Sequence, residues 1–361
     1  MKRQTIVLCA FAAMLAASAC NQIEPVADSD SPLQAIGLRS IASVNTKSAV
    51  EGTVFPDGYD VKVSGYHNLG DHPGDGEIAA DYFTNVTFSK TGTVWKENKY
   101  WPLDGTLDFL CFATAGLKNP SAGIVPTPTW GNAGNVASKL VLDVPDNSAM
   151  FDDILYGAAN AQHFLSSGNP VVFRHAETVV CFAAKANLAY DPSANTGITI
   201  DGITIDDAYY GGTLTVLNPA AGGGSGDLTA SWSAMTSQKT HVAARVHGGV
   251  PCSPSEAVLS AYNVPTTAVT LSTQPYGIGY VILPAQAATK FTLSYTIHNG
   301  KDGDGTPLNN HLKYQYTCSG SWKMATKNLY TIDITLNEIT VAASVSPWDS
   351  AATTTVPMKN S

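Results

Sequence analysis

Charged residues make up only 14% of this 361-residue chain, against about 25% in ordinary globular domains. Long surface helices need Glu, Lys and Arg on their solvated faces, and no segment carries a convincing helical stripe longer than about three turns. The chain has no Lys/Arg cluster, and its net charge is −9. Nothing in it can track phosphates, which argues against nucleic acid or an anionic lipid surface as partner. Beyond the N-terminus there is no apolar run of roughly 18 residues, so a transmembrane helix is not expected. The six cysteines show no C-x-x-C spacing for zinc or redox work. There is no G-x-S-x-G, H-E-x-x-H or phosphate-loop sequence, so neither an enzyme nor a cofactor is expected.

What takes the place of charge is Ser, Thr and Asn, together with 31 Gly and 20 Pro, a composition of short strands joined by turns. Alternating runs recur at Ala35–Ser43, Tyr59–His67, Asn85–Ser89, Leu107–Thr114, Lys139–Val144, Val171–Arg174 and Thr178–Ala184. They continue at Gly197–Ile205, Gly212–Leu217, Thr240–Val246, Ala268–Leu271, Gly279–Leu283, Phe291–His298, His311–Cys318 and Tyr330–Leu336. The period of two marks half-buried strands, and strands without intervening helices pair antiparallel. The expected fold class is all-β. Residues 149–162 are the best place for one short helix or an irregular loop. The break Ser166-Ser-Gly-Asn-Pro170 divides the chain into β-domains at 34–168 and 169–361.

The N-terminus follows the three-part plan of an export signal: Met1-Lys-Arg3, an apolar run from Ile6 to Ala17, then Ser18-Ala19-Cys20. Residues 1–19 are the expected signal peptide. Cys20 sits where a lipobox cysteine accepts a diacylglycerol, while Ala17-Ser18-Ala19 also fits an ordinary Ala-x-Ala cleavage site. Residues 20–33, acidic and proline-bearing, read as a flexible tether.

Candidate chemistry is sparse. Cys111 and Cys181 lie in apolar runs as small buried hydrophobes, and a Cys252–Cys318 disulfide is permitted by compartment. His241 and His247 lie six residues apart, about 20 Å along an extended strand, too far to share a metal. His175, between two apolar runs, reads as a hydrogen-bonded structural residue. Asp302-Gly-Asp-Gly305 and Asp71 to Glu77 have carboxylates on glycine-rich turns, as solvated hairpins or calcium loops. Trp95, Tyr100, Trp101, Tyr209, Tyr210 and Trp232 are candidates for a sugar-stacking platform or for core. That platform motivates an alternative function, a surface glycan-binding lipoprotein of a nutrient uptake system.

Several segments in order resemble the fimbrillin family of Bacteroidales, the FimA-like and Mfa-like lipoprotein pilins of the type V pilus. They are Ile36–Ser43 and Thr46-Lys-Ser-Ala-Val-Glu-Gly52; Val86-Thr-Phe88, Trp95, Tyr100-Trp-Pro102 and Leu107-Asp-Phe109; Asp152-Asp-Ile-Leu-Tyr156; Val172-Phe-Arg-His-Ala176 through Phe182; and Leu329-Tyr330 through Leu336 with Val345-Ser-Pro-Trp348. The resemblance implies two transthyretin-like antiparallel β-sandwich domains and a surface-exposed precursor lipidated at Cys20 on the outer membrane. It also implies partners: other pilin subunits joined by strand exchange after proteolytic removal of the first strand, and host or bacterial surface ligands. The processing candidates are Lys47, in a loop, and Arg39, inside the first strand, where a cut would remove only half of it.

Overall fold

The alternating segments fold as strands in the computed structural model, which describes residues 34–41, 59–68, 78–121, 123–131, 138–218, 227–242, 269–270, 276–335 and 338–348. In chain order the strands are β1 (Ala35–Ile41), β2 (Asp60–Asn68), β3 (Ile78–Thr91), β4 (Val94–Tyr100), β5 (Thr106–Thr114), β6 (Thr127–Trp130) and β7 (Ser138–Val144). Next come β8 (Leu155–Gln162), β9 (Asn169–His175), β10 (Glu177–Ala186), β11 (Thr196–Asn218), β12 (Thr229–Val242) and β13 (Val269–Thr270). The last are β14 (Tyr276–Pro284), β15 (Gln286–Ala287), β16 (Lys290–Lys301), β17 (Pro307–Thr317), β18 (Ser321–Trp322), β19 (Thr326–Ile334) and β20 (Ile339–Pro347). The helical structure among the described residues is one 3-10 turn, Ala115–Leu117, capped by Thr114. The chain is all-β.

β5 explains the layering. Its run Phe109-Leu-Cys-Phe112 is buried on both faces, as an unbroken apolar run requires. Phe109, Cys111 and Ala113 point into one core with Val61, Val63, Phe88 and Trp95. Leu110 and Phe112 point the other way, against Leu140, Leu142, Leu214 and Val216. β5 is thus a wall between two cores. The first fills a closed barrel of order β1-β4-β3-β2-β5-β8-β9. The second lies under the β6–β7 hairpin, which joins β11 in the sheet β17-β16-β11-β7-β6. A third core, with Phe182, Phe291, Tyr316 and Tyr330, draws on that same sheet and on β14-β10-β19-β20.

The structure departs from the sequence reading in four places. Of residues 149–162, 149–154 are the irregular loop that is one of the two expectations, but 155–162 are strand β8; β8 is rich in Ala and Gly, and pairing with β5 and β9 overrides its weak propensity. Two pairs are parallel, β1 with β9 and β10 with β19, which long intervening chain allows. Gly197–Ile205 and Gly212–Leu217 are one strand, its polar break absorbed by register shifts at Ile205/Ala208 and Gly211/Thr213. Cys181 is disulfide-bonded rather than free, with its partner outside the described residues. Cys318 is a free buried thiol, so it makes no bridge to Cys252, while Cys111 is free and buried as expected.

Where the chain passes from β8 through β9 to β10, polar groups replace apolar ones. Asp153 and His175 are both buried, and His175 Nδ1 lies 2.9 Å from Asp153 Oδ2. The Asp152 carboxylate accepts from the backbone N–H groups of Ala115, Gly116 and Ile124. Asn147 Nδ2 donates to Glu177 Oε1 at 3.1 Å and to the Asp152 carbonyl at 2.8 Å. The Ile154 N–H donates to Glu177 Oε2. Burial pushes the Glu177 carboxyl well above its ordinary range, and the neighbouring Asp153 pushes the same way. Burial also raises Asp152 to about 6 against the hydrogen bonds that pull it down. Phe151, at φ 48°, holds the left-handed conformation that starts this link.

Two outcomes follow from these cores and carboxyls. Phe109→Ala and Phe182→Ala should each cost about 3–5 kcal/mol, and hydrogen exchange should rise first around β2 and β5 for the former and around β10 and β19 for the latter. Buried Asp108, which accepts from the Ala161 N–H, is raised to about 6 by burial. A raised folded-state pKa means the contribution to stability is complete below about pH 4 and is lost as pH rises through about 6. The urea midpoint of Asp108→Asn should therefore gain on that of the parent as pH goes from 5 to 7.5. A difference that stays flat would place Asp108 in contact with water.

Candidate functional site

A barrel is closed by whichever strand joins its two remaining edges, and here that strand is β1. From Ala35 to Leu38 it runs antiparallel to β4; from Leu38 to Ile41 it runs parallel to β9. Only Leu38 is registered with both neighbours. By contrast β2 is paired with β5 along its whole length, Asp60 with Thr114 to Asn68 with Thr106. Ile36 and Leu38 are buried in the barrel core, so β1 inserts two large side chains and splices two edges. The ladder with β4 carries a register shift between Ala35 and Gly37. Upstream, the Trp101 N–H donates to the Gln34 carbonyl at 2.9 Å.

Arg39 points outward, and its Nε donates to the Gly168 carbonyl at 3.0 Å. Gly168 sits at φ 81°, and a side chain there would crowd the Val94 side chain. That position needs glycine. The turn sequence Ser166-Ser-Gly-Asn-Pro170 signals the bend, but not that its carbonyl seats Arg39. Arg39 is registered with Pro170 in the parallel ladder, so its backbone is held in strand pairing. Lys47 and Cys20 lie outside the described residues.

At the other end of the chain, β20 pairs antiparallel with β19, Ile334 with Ile339 to Thr326 with Pro347. It is an edge of its sheet. Its inner face grades from partly buried Ile339 and Val341 to buried Ala343. Trp348, just past β20, is fully buried and stacks on His175 with ring centroids 4.3 Å apart and planes 5° apart.

The other candidates resolve differently. Trp95 and Tyr210 are core side chains, Trp101 packs edge-on against Phe109, and the Trp232 indole donates to the Ala176 carbonyl. These aromatics do not form one exposed row. Asp302 accepts from the N–H groups of Asp304 and Thr306, the self-capped geometry of a solvated turn between β16 and β17. His241 packs on Phe151 and Tyr210; His247, Cys252 and the Asp71–Glu77 segment lie outside the described residues. His175 is the hydrogen-bonded buried residue expected.

Among curated protein sequences, none matches. A solved structure of a fimbrial protein from Bacteroides vulgatus is similar, at 15% identity and a TM-score of 0.52, over 87% of this chain and 99% of that one. The tip fimbrial protein Mfa3 from Porphyromonas gingivalis, solved with a C-terminal truncation, matches at 11% identity with a TM-score of 0.34, over 88% of this chain and 100% of that one. The family model described as fimbrillin-like matches residues 49–348, a span that takes in every strand described above except β1. This chain belongs to the fimbrillin-like family.

Proposed function

We propose that this protein is a fimbrial subunit or fimbrillin-like adhesin of the outer membrane surface, exported as a lipoprotein through Cys20 and assembled by donor-strand exchange at the barrel edge that β1 fills. The observation that carries this reading is the splice geometry of β1, paired to β4 over one half and to β9 over the other. Removing such a strand opens two ladders at once and uncovers the pocket of Ile36 and Leu38. An incoming strand satisfies both, since backbone hydrogen bonds give affinity and alternate side chains give register. The fimbrillin-like family and the fimbrial neighbour support the setting. In this reading the chain is two β-domains divided near residue 168, at 34–168 and 169–361.

Processing at Lys47 suits this mechanism better than processing at Arg39. A protease needs an extended backbone free of other pairing, and Arg39 lies in the ladder with β9. A cut after Arg39 would also leave Ile36 and Leu38 in one fragment and Ser40 and Ile41 in the other. Partners are then other pilin subunits, with surface ligands on host or bacterial cells.

Replacing Cys20 by Ala should move the protein from the membrane fraction to the soluble fraction, because the acyl chains on one cysteine carry the anchor. Unchanged fractionation would remove the lipoprotein reading. Deleting residues 21–47 should yield a soluble, self-associating protein that binds synthetic peptides copying Ile36–Ser43 or Ile339–Met358. A deletion product that is monomeric and indifferent to both peptides would count against strand exchange.

A further inference from the structure

The grip on β20 is uneven along its length. As an edge strand it is hydrogen-bonded on one side only, and Ile339 and Val341 at its start are partly buried. The firmest contact comes after the strand ends, at Trp348, which is 0% exposed. Its N–H donates to the Ala325 carbonyl at 2.6 Å, and the Ala325 N–H donates to the Glu177 carbonyl at 2.9 Å. Ala325 sits at φ 54°, a left-handed conformation that a residue with a Cβ keeps only when its surroundings fix it. The indole lies flat on His175, itself held by Asp153. The indole N–H has no acceptor among the described residues, so stacking and packing hold the ring rather than a polar anchor. Such a contact breaks without leaving a hydrogen-bond partner behind.

We propose that the Trp348 indole, seated on His175 at the junction of the β-structures, is a clasp that keeps β20 in its own sheet and whose opening makes that strand available to a second copy of this chain. The availability to a second copy rests on the strand-exchange reading; the clasp itself does not. With the ring seated, β20 is fixed at both ends, by the turn from β19 and by the junction. With the ring out, the strand is an edge with a half-exposed apolar face, free to fray from its C-terminal end.

Hydrogen exchange of the full chain, read by mass spectrometry in the parent, Trp348→Ala and Trp348→Phe, tests this. In the Ala variant β20 should exchange at least about tenfold faster while β5, in the barrel, keeps its parent rate. The Phe variant, which keeps a ring to stack, should fall between. Unchanged β20 exchange, or acceleration shared equally by β5, overturns the clasp. Should the Ala variant fail to fold, the Phe variant decides by the same comparison. Size-exclusion chromatography of the same samples separates the two claims. Freed β20 with new oligomers supports both, whereas freed β20 in a strictly monomeric protein keeps the clasp and overturns the strand-exchange role built on it.

Discussion

The hydrogen-bonded pair of Asp153 and His175 lies where the chain leaves the barrel and enters the sheets beyond it, and each neighbouring layer takes its position from that pair. Taking a carboxylate and an imidazole out of water is costly unless each finds a partner, and leaving one without its partner costs about 1–3 kcal/mol or more. The segments on either side must therefore arrive in one arrangement. Asp152 turns to the 3-10 turn after β5, Asp153 to His175 on the other side, and Glu177 is held by Asn147 and the Ile154 N–H. Five polar side chains in two short segments thus fix β5, β8, β9 and β10 relative to one another. Apolar packing alone would tolerate sliding among these strands, because hydrophobic contact is not directional.

Given that anchor, the barrel and the sheets can share walls. β5 and β8 each serve two cores, with Phe109 and Leu155 facing into the barrel and Phe112 and Tyr156 facing the second core. Sharing saves strands but demands side chains that are apolar on both faces, which is why the run around Phe109–Phe112 lacks a solvent-facing position. The terminal strands are under no such demand. β1 faces a core on one side and solvent on the other, with Arg39 outward, and β20 is an edge. Strands with one buried face are the ones that can be exchanged without dismantling two cores.

The legible parts of this fold were those where periodicity and burial agree. The alternation in β2, β7, β9 and β16 and the apolar runs of β5 and β10 mark their strands directly. β8 was hidden because Leu-Tyr-Gly-Ala-Ala-Asn-Ala-Gln carries little β-branched content; its strand state comes from being sandwiched between β5 and β9. β4, β20 and β12 before Thr240 were hidden for a different reason, being polar or small-residue strands at half-exposed positions where alternation is weak. Arg39 was legible as a residue inside the first strand, but its seat on Gly168 was not, since 129 positions separate them. The stacking of Trp348 on His175 likewise joins two segments that the sequence marks separately and does not connect. Local pattern encodes which face a residue takes, not which distant element covers that face.

That separation bears on how the two chain ends can act together. β9 lies beside β1 in a parallel ladder at its start and ends in His175, on which Trp348 stacks. One strand of seven residues therefore touches both the closing strand of the barrel and the residue that terminates the C-terminal edge strand. β9 is also paired with β8, from His175 with Leu155 to Val172 with Ala158, so its ladder with β1 is one of two that hold it. Its other end remains tied to Asp153. The ladder with β1 and the stacking contact with Trp348 thus lie at opposite ends of one strand, with the buried Asp153–His175 pair at the second end. A strand tied in this way is held at its start by the ladder with β1 and at its end by the ladder with β8 together with side-chain contacts, so the two ends of β9 depend on different interactions: hydrogen-bond register alone at one, a buried polar pair and ring stacking besides at the other.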